Sequence, residues 1–139
     1  MSNATTLRQR QTGETSGSAC RAPHQVSDLP LGFDLRAELG QLRAEEPRLQ
    51  RRHNAKTLVK EGDLRVVLMT LGRGRRIEEH RAPGRTAIHT LKGRIRLRLP
   101  AQTVELPAGR LLAIGPRVPH DVEALEDSAF LLTIGCPGS

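Results

Sequence analysis

The chain contains no tryptophan and no tyrosine, and its only phenylalanines are Phe33 and Phe130. Proteins that hold single-stranded nucleic acid stack its bases on aromatic faces. This chain has almost none to offer, so a nucleic-acid partner is not expected. The same shortage shapes the interior: hydrophobic residues make up 37% of the sequence and aromatics 1%, so a core must be built from leucine, isoleucine, valine and alanine. The branched members of that set suit the pleated surface of strands. Cysteine is nearly missing too. Cys20 and Cys136 lie far apart and give no close-spaced pair of the kind found in zinc sites or redox motifs, and the expectation is two free thiols in a reducing cytoplasm. No run approaches the ~20 apolar residues that cross a bilayer, and no apolar stretch follows the first positive charges. Neither a membrane segment nor an export signal is therefore expected.

Lysine is also scarce, 3 against 19 arginines, within a net charge of +7. A basic chain ordinarily suggests an anionic partner. Here residues 1–56 carry +3, residues 57–99 carry +7 and residues 100–139 carry −3, and no lysine-rich arm exists. Arginine throughout reads as a compositional bias for which no partner need be invoked.

At 139 residues there is room for one domain and a tail. Residues 1–30 are rich in Thr, Ser, Gly and Gln and poor in large apolar groups, so they cannot offset the entropy lost on ordering and are expected to form a disordered tail. Residues 31–56 are expected to be a helical segment and linker packed on the outside of the main domain. Leu35, Leu39 and Leu42 draw one apolar stripe over Phe33–Glu46, and Pro47 is expected to close the helix. From residue 57 to 139 the pattern changes to short apolar runs broken by turn residues such as Gly62-Asp63, Pro83-Gly84, Lys92-Gly93 and Gly115-Pro116, as in an all-β sandwich or barrel. Strands are expected over 57–60, 64–71, 75–80, 86–91, 94–99, 103–106, 111–114, 120–124 and 129–134. Connections this short make neighbouring strands antiparallel. Arg94, Arg96 and Arg98 alternate with Ile95, Leu97 and Leu99, so one side of that strand is buried and the other is a row of guanidinium groups. A solvated outer face is the plainer reading of the row, and an anion site the alternative.

Five histidines are present. His24 falls in the tail and His53 in a basic linker, where solvated side chains are the default. His89 is offset by an odd number from Thr86 and should face the opposite side of its strand from Thr86 and Ile88, as a packing or subunit-contact residue. His80 and His120 differ, because each stands at a strand edge beside a turn. Residues 78 and 80 are two apart and so project from one face, which places the Glu78 carboxylate beside the His80 imidazole while Glu79 points away. If His120 reaches the same cavity, two imidazoles and a carboxylate converge, the ligand chemistry of a facial triad for a divalent ion. The competing reading makes Glu78 and His80 a surface pair at a strand end.

Gly72 to His120 resembles the two motifs of the cupins. Gly72, five residues, Glu78-Glu79-His80, then Thr86, six residues and Gly93 follow the spacing of the first motif. Gly109, five residues, Gly115-Pro116-Arg117 and Val118-Pro119-His120 follow the second, with Ala124 in the place of its asparagine. Glu78 stands where the motif has its first histidine and Thr86 where it has glutamate, and the loop before Thr86 is one residue longer than the pattern allows. The resemblance implies a double-stranded β-helix barrel, commonly a homodimer, with a metal or small molecule inside. Fold alone selects no function, so three classes are carried. The first is a binding or sensing module holding a small molecule in the barrel; the degraded ligand positions suit it best. The second is a metal-dependent oxygenase or isomerase acting on a small organic substrate. In it Glu78, His80 and His120 would hold Fe, Mn, Ni or Zn, Thr86 would line the site, and Arg85 or Arg117 would bind an anionic substrate. The third is an interaction protein using the arginine row and the basic tail.

Overall fold

The computed structural model describes residues 30–49 and 53–135. The expected tail before Pro30, with Cys20 and His24, lies outside the described residues, as do Cys136 and the side chain of His53.

One helix and nine strands follow in order: α1 (Leu35–Leu49), β1 (His53–Glu61), β2 (Leu64–Leu71), β3 (Arg76–His80), β4 (Arg85–Lys92), β5 (Arg94–Arg98), β6 (Thr103–Pro107), β7 (Leu111–Ile114), β8 (His120–Ala124) and β9 (Ser128–Gly135). The strands form a five-stranded sheet in the order β1-β2-β9-β4-β7 and a four-stranded sheet in the order β3-β8-β5-β6, with every neighbouring pair antiparallel. Between them lies an aliphatic core of Leu71, Ile88, Ile95, Leu97, Leu106, Ile114, Val122 and Ala124 around the single ring of Phe130. All nine expected strands are present in this all-β barrel.

Two elements differ from the sequence expectation by more than a residue at an end. Strand β1 begins at His53 rather than Thr57, because Asn54 and Lys56 look like linker residues yet are buried against α1. Asn54 Nδ2 donates to the Leu42 carbonyl at 3.5 Å and to Glu45 at 3.4 Å, and Lys56 Nζ donates to Glu38 and to Gln41. Helix α1 starts at Leu35, where Asp34 Oδ1 accepts from the N–H groups of Arg36 and Ala37, an N-cap. It does not stop at Pro47 but runs on to Leu49. That proline sits in the last turn, where a missing N–H removes one hydrogen bond and leaves the preceding turns intact. The Leu35, Leu39 and Leu42 stripe packs on Leu58 and Leu68, on the outer face of β1 and β2.

The outer face of the other sheet is charged rather than apolar. Arg96 pairs with Glu105 at 3.2 Å, Arg98 with Glu123 at 2.9 Å and Asp121 at 3.4 Å, and Arg94 approaches Glu105 and Glu126. The guanidinium row is thus one half of a ladder of alternating charge, and its anion-site reading is overturned by carboxylates from β6 and β8 already standing between the arginines. At the β4–β5 turn Gly93 has φ +80°, and a Cβ there would fall on the backbone of Asp127 and Ser128. The close approach of the two turns therefore requires glycine.

Candidate functional site

One end of the barrel is solid and the other is hollow. The hollow end is a cavity of about 460 Å³, within the size range of small-molecule sites. Its walls are Val67, Met69, Ile88, Phe130, Leu132 and Ile134 from the larger sheet and Ile77 and Val122 from the smaller one. Against this apolar surface stand four inward polar groups, His80, His120, Arg65 and Thr57, while the exposed Glu78 and Glu79 border the opening.

The two histidines meet because β3 and β8 pair in register at His80 and His120. Their ring centroids are 4.3 Å apart with the planes at 60°, edge to face. His80 Nδ1 lies 3.0 Å from the Glu78 carbonyl and His120 Nδ1 lies 2.9 Å from the Val118 carbonyl. A carbonyl can only accept, so each Nδ1 carries a proton, which leaves Nε2 as the ring nitrogen that faces away from the carbonyl. His120 is 3% exposed. Burial pushes its pKa below the ordinary histidine value; the Val118 carbonyl opposes this in part, His80 lowers it further and Asp121 raises it slightly. His120 is therefore a neutral imidazole at pH 7.

Glu78 does not behave as strand alternation predicts. Between the pairs Ile77 with Val122 and His80 with His120, β3 has two residues where β8 has only Asp121. This is a β-bulge, and one extra residue reverses the facing of everything beyond it. Ile77 and His80, three apart, both reach the cavity, whereas Glu78 and Glu79 are both left exposed at its rim. Arg85 is exposed at the start of β4 and does not line the cavity. Arg117 is likewise exposed in the β7–β8 loop; its φ is +59° and its N–H donates to the Ala82 carbonyl at 2.8 Å. Thr86 is buried on the inner face of β4 beside Ile134, with its hydroxyl lacking a hydrogen-bond partner. His89, as its odd offset predicts, falls on the other face, beside Leu111 and Leu131.

Arg65 and Thr57 were not singled out from the sequence. The signal was available for Arg65, since it shares the alternating inner stripe of Val67, Met69 and Leu71, and an arginine on the core side of a strand is anomalous. It is 4% exposed and donates from Nη2 to Thr57 Oγ1 at 3.3 Å.

A cupin domain model matches residues 67–134. The barrel superposes on a cupin superfamily protein from Desulfitobacterium hafniense with a TM-score of 0.66 at 16% identity, covering 82% of this chain and 100% of that one. It superposes on a conserved protein of unknown function from Streptococcus pyogenes with a TM-score of 0.64 at 21% identity, covering 85% and 97%. Residues 67–134 are a cupin domain. The cupin barrel also resembles salicylate 1,2-dioxygenase from Pseudoaminobacter salicylatoxidans, with a TM-score of 0.66 at 17% identity over 82% of this chain and 35% of that enzyme. No curated protein matches the chain in sequence.

The metal set implied by the cupin resemblance is brought together only in part. His80 and His120 converge with both Nε2 atoms free of their carbonyl contacts, but among the described residues no three His, Cys, Asp or Glu side chains stand where they could hold a metal ion together. The bulge takes Glu78 out of the set, and Thr86 supplies a hydroxyl where the motif has a carboxylate. Protein metal centres generally use at least three side-chain ligands, so the donors of this barrel do not fit a metal held in that way.

Proposed function

We propose that this cupin binds a small, largely apolar organic molecule in its barrel, with the imidazole pair addressing a polar group of the ligand. The observation that carries the reading is the composition of the cavity: an aliphatic chamber of about 460 Å³ with a few polar groups at fixed positions, the arrangement by which pockets combine affinity with orientation. His120 contributes a neutral Nε2 that can accept a hydrogen bond, held by Val118 so that the ring does not turn. The likeness to a dioxygenase barrel favours a metal-dependent oxygenase or isomerase as the alternative, and the missing third ligand weighs against it.

The test is a titration, followed by methyl NMR, with six- to eight-carbon alcohols, carboxylates, amides and amines, on the full chain. Val67, Ile88 and Val122 should report saturable binding of some members of this panel. Ala55 of β1 also lines the cavity, and Ala55→Phe, which places a ring there, should abolish it. The added ions Fe(II), Mn(II), Ni(II) and Zn(II) should leave it unchanged. If the whole panel leaves those methyl signals unmoved, the binding reading is wrong. A stoichiometric ion retained after purification without an affinity tag, and lost in His80→Ala, would establish the metal alternative in its place.

A further inference from the structure

Resting on that reading of the barrel as a ligand site, we infer that the ligand is an organic anion, an apolar molecule ending in a carboxylate that docks on Arg65. Arg65 is a cation placed on the inner wall of a barrel whose other inward residues on the same strand are Val67, Met69 and Leu71. Taking a guanidinium out of water is costly unless charge and hydrogen bonds compensate. Its bond to Thr57 and its other protein contacts fix its orientation. A group with five N–H donors in a planar fork can keep those contacts and still present a pair to a carboxylate, the geometry for which arginine surpasses lysine.

Two further features of the same end agree. The row Arg65, Ile134 and Thr86 runs across β2, β9 and β4, so the buried Thr86 hydroxyl, which has no hydrogen-bond partner, stands level with the guanidinium behind the cavity wall. Arg81, which follows the cavity-lining His80, and Arg85 and Arg117 are exposed and form no ion pair among the described residues. The loops carrying Arg81 and Arg117 are joined by the Arg117 N–H bond to the Ala82 carbonyl. The arginines of β5, by contrast, are each matched by acids.

The experiment compares isosteric probes at pH 7.5, hexanoate, hexanamide and hexan-1-ol, by calorimetry and by the methyl signals of Val67 and Ile88. Hexanoate should bind about tenfold or more tightly than either neutral probe, the effect of one charge-assisted pair. Arg65→Met should remove the preference, so that hexanoate binds no more tightly than hexanol to the variant. Arg65→Lys should recover only part of the preference. Equal binding of all three probes to the wild-type protein would overturn the anion assignment and leave the cavity reading standing, whereas no binding of any probe would overturn both. Should Arg65→Met fail to fold, Arg65→Lys carries the test, and an undiminished preference for hexanoate in it would overturn docking on Arg65.

Discussion

The two ends of this barrel are made from the same strands and follow opposite rules. At the closed end Ile95, Leu97 and Leu71 are essentially without solvent exposure, and aliphatic side chains fill the interior. At the open end the same sheets enclose a chamber whose inward groups include two imidazoles, a guanidinium and a hydroxyl. The closed end is where folding free energy is gained. The open end places groups that water would hold more comfortably, and it is there that the proposed ligand would dock.

Truncating one side chain at each end tests this contrast most directly. Leu97→Ala, at a site with no exposure, should cost about 3–5 kcal/mol, since the transfer term and a new void add together. Leu132→Ala, on the cavity wall, should cost only about 1.5 kcal/mol, because part of the void already exists. Urea denaturation of the two variants measures both, and equal losses would erase the distinction between the ends.

A smaller difference should appear on acidification. The folded-state pKa of His120 is depressed below 6.5, so below that pH the unfolded chain binds a proton that the folded chain resists. The contribution of His120 is fully present above pH 6.5 and is lost as the pH falls through the folded value. Urea midpoints measured between pH 7.5 and 5.5 should fall for the wild type and fall less for His120→Gln. Identical slopes would mean that the open end does not hold this ring neutral.

The smallest effect belongs to the rim. Arg117 sits at φ +59°, a conformation that costs a side-chain-bearing residue about 1–2 kcal/mol. Arg117→Gly should therefore stabilise the fold by about 0.5 kcal/mol after glycine's greater freedom in the unfolded chain is counted. A drop in thermal midpoint would show that the side chain contributes contacts outweighing the strain.

The same division separates what the sequence reveals from what it hides. The strands of the barrel are legible because alternation and turn residues are local signals, and Ile95 and Leu97 face inward as their spacing requires. The stripe of α1 is equally plain. The start of β1 is hidden because Asn54 and Lys56 are polar for the sake of helix residues at Leu42, Glu45, Glu38 and Gln41, contacts that no short window contains. The partners of the β5 arginines, Glu105, Asp121, Glu123 and Glu126, are concealed by the same distance along the chain. At the site, the meeting of His80 and His120 is anticipated by their positions at strand edges. The loss of Glu78 is not, because period-two reasoning assumes an uninterrupted ladder and the bulge is visible only once β8 is laid alongside.

That bulge makes the site depend on counting more than on chemistry. Glu78 and Glu79 are exposed and each can be exchanged for another residue at little cost, yet the number of residues between Ile77 and His80 decides which way the imidazole turns. Removing one of them would swing His80 out into solvent and part it from His120, so this stretch of the chain tolerates misspelling but not omission.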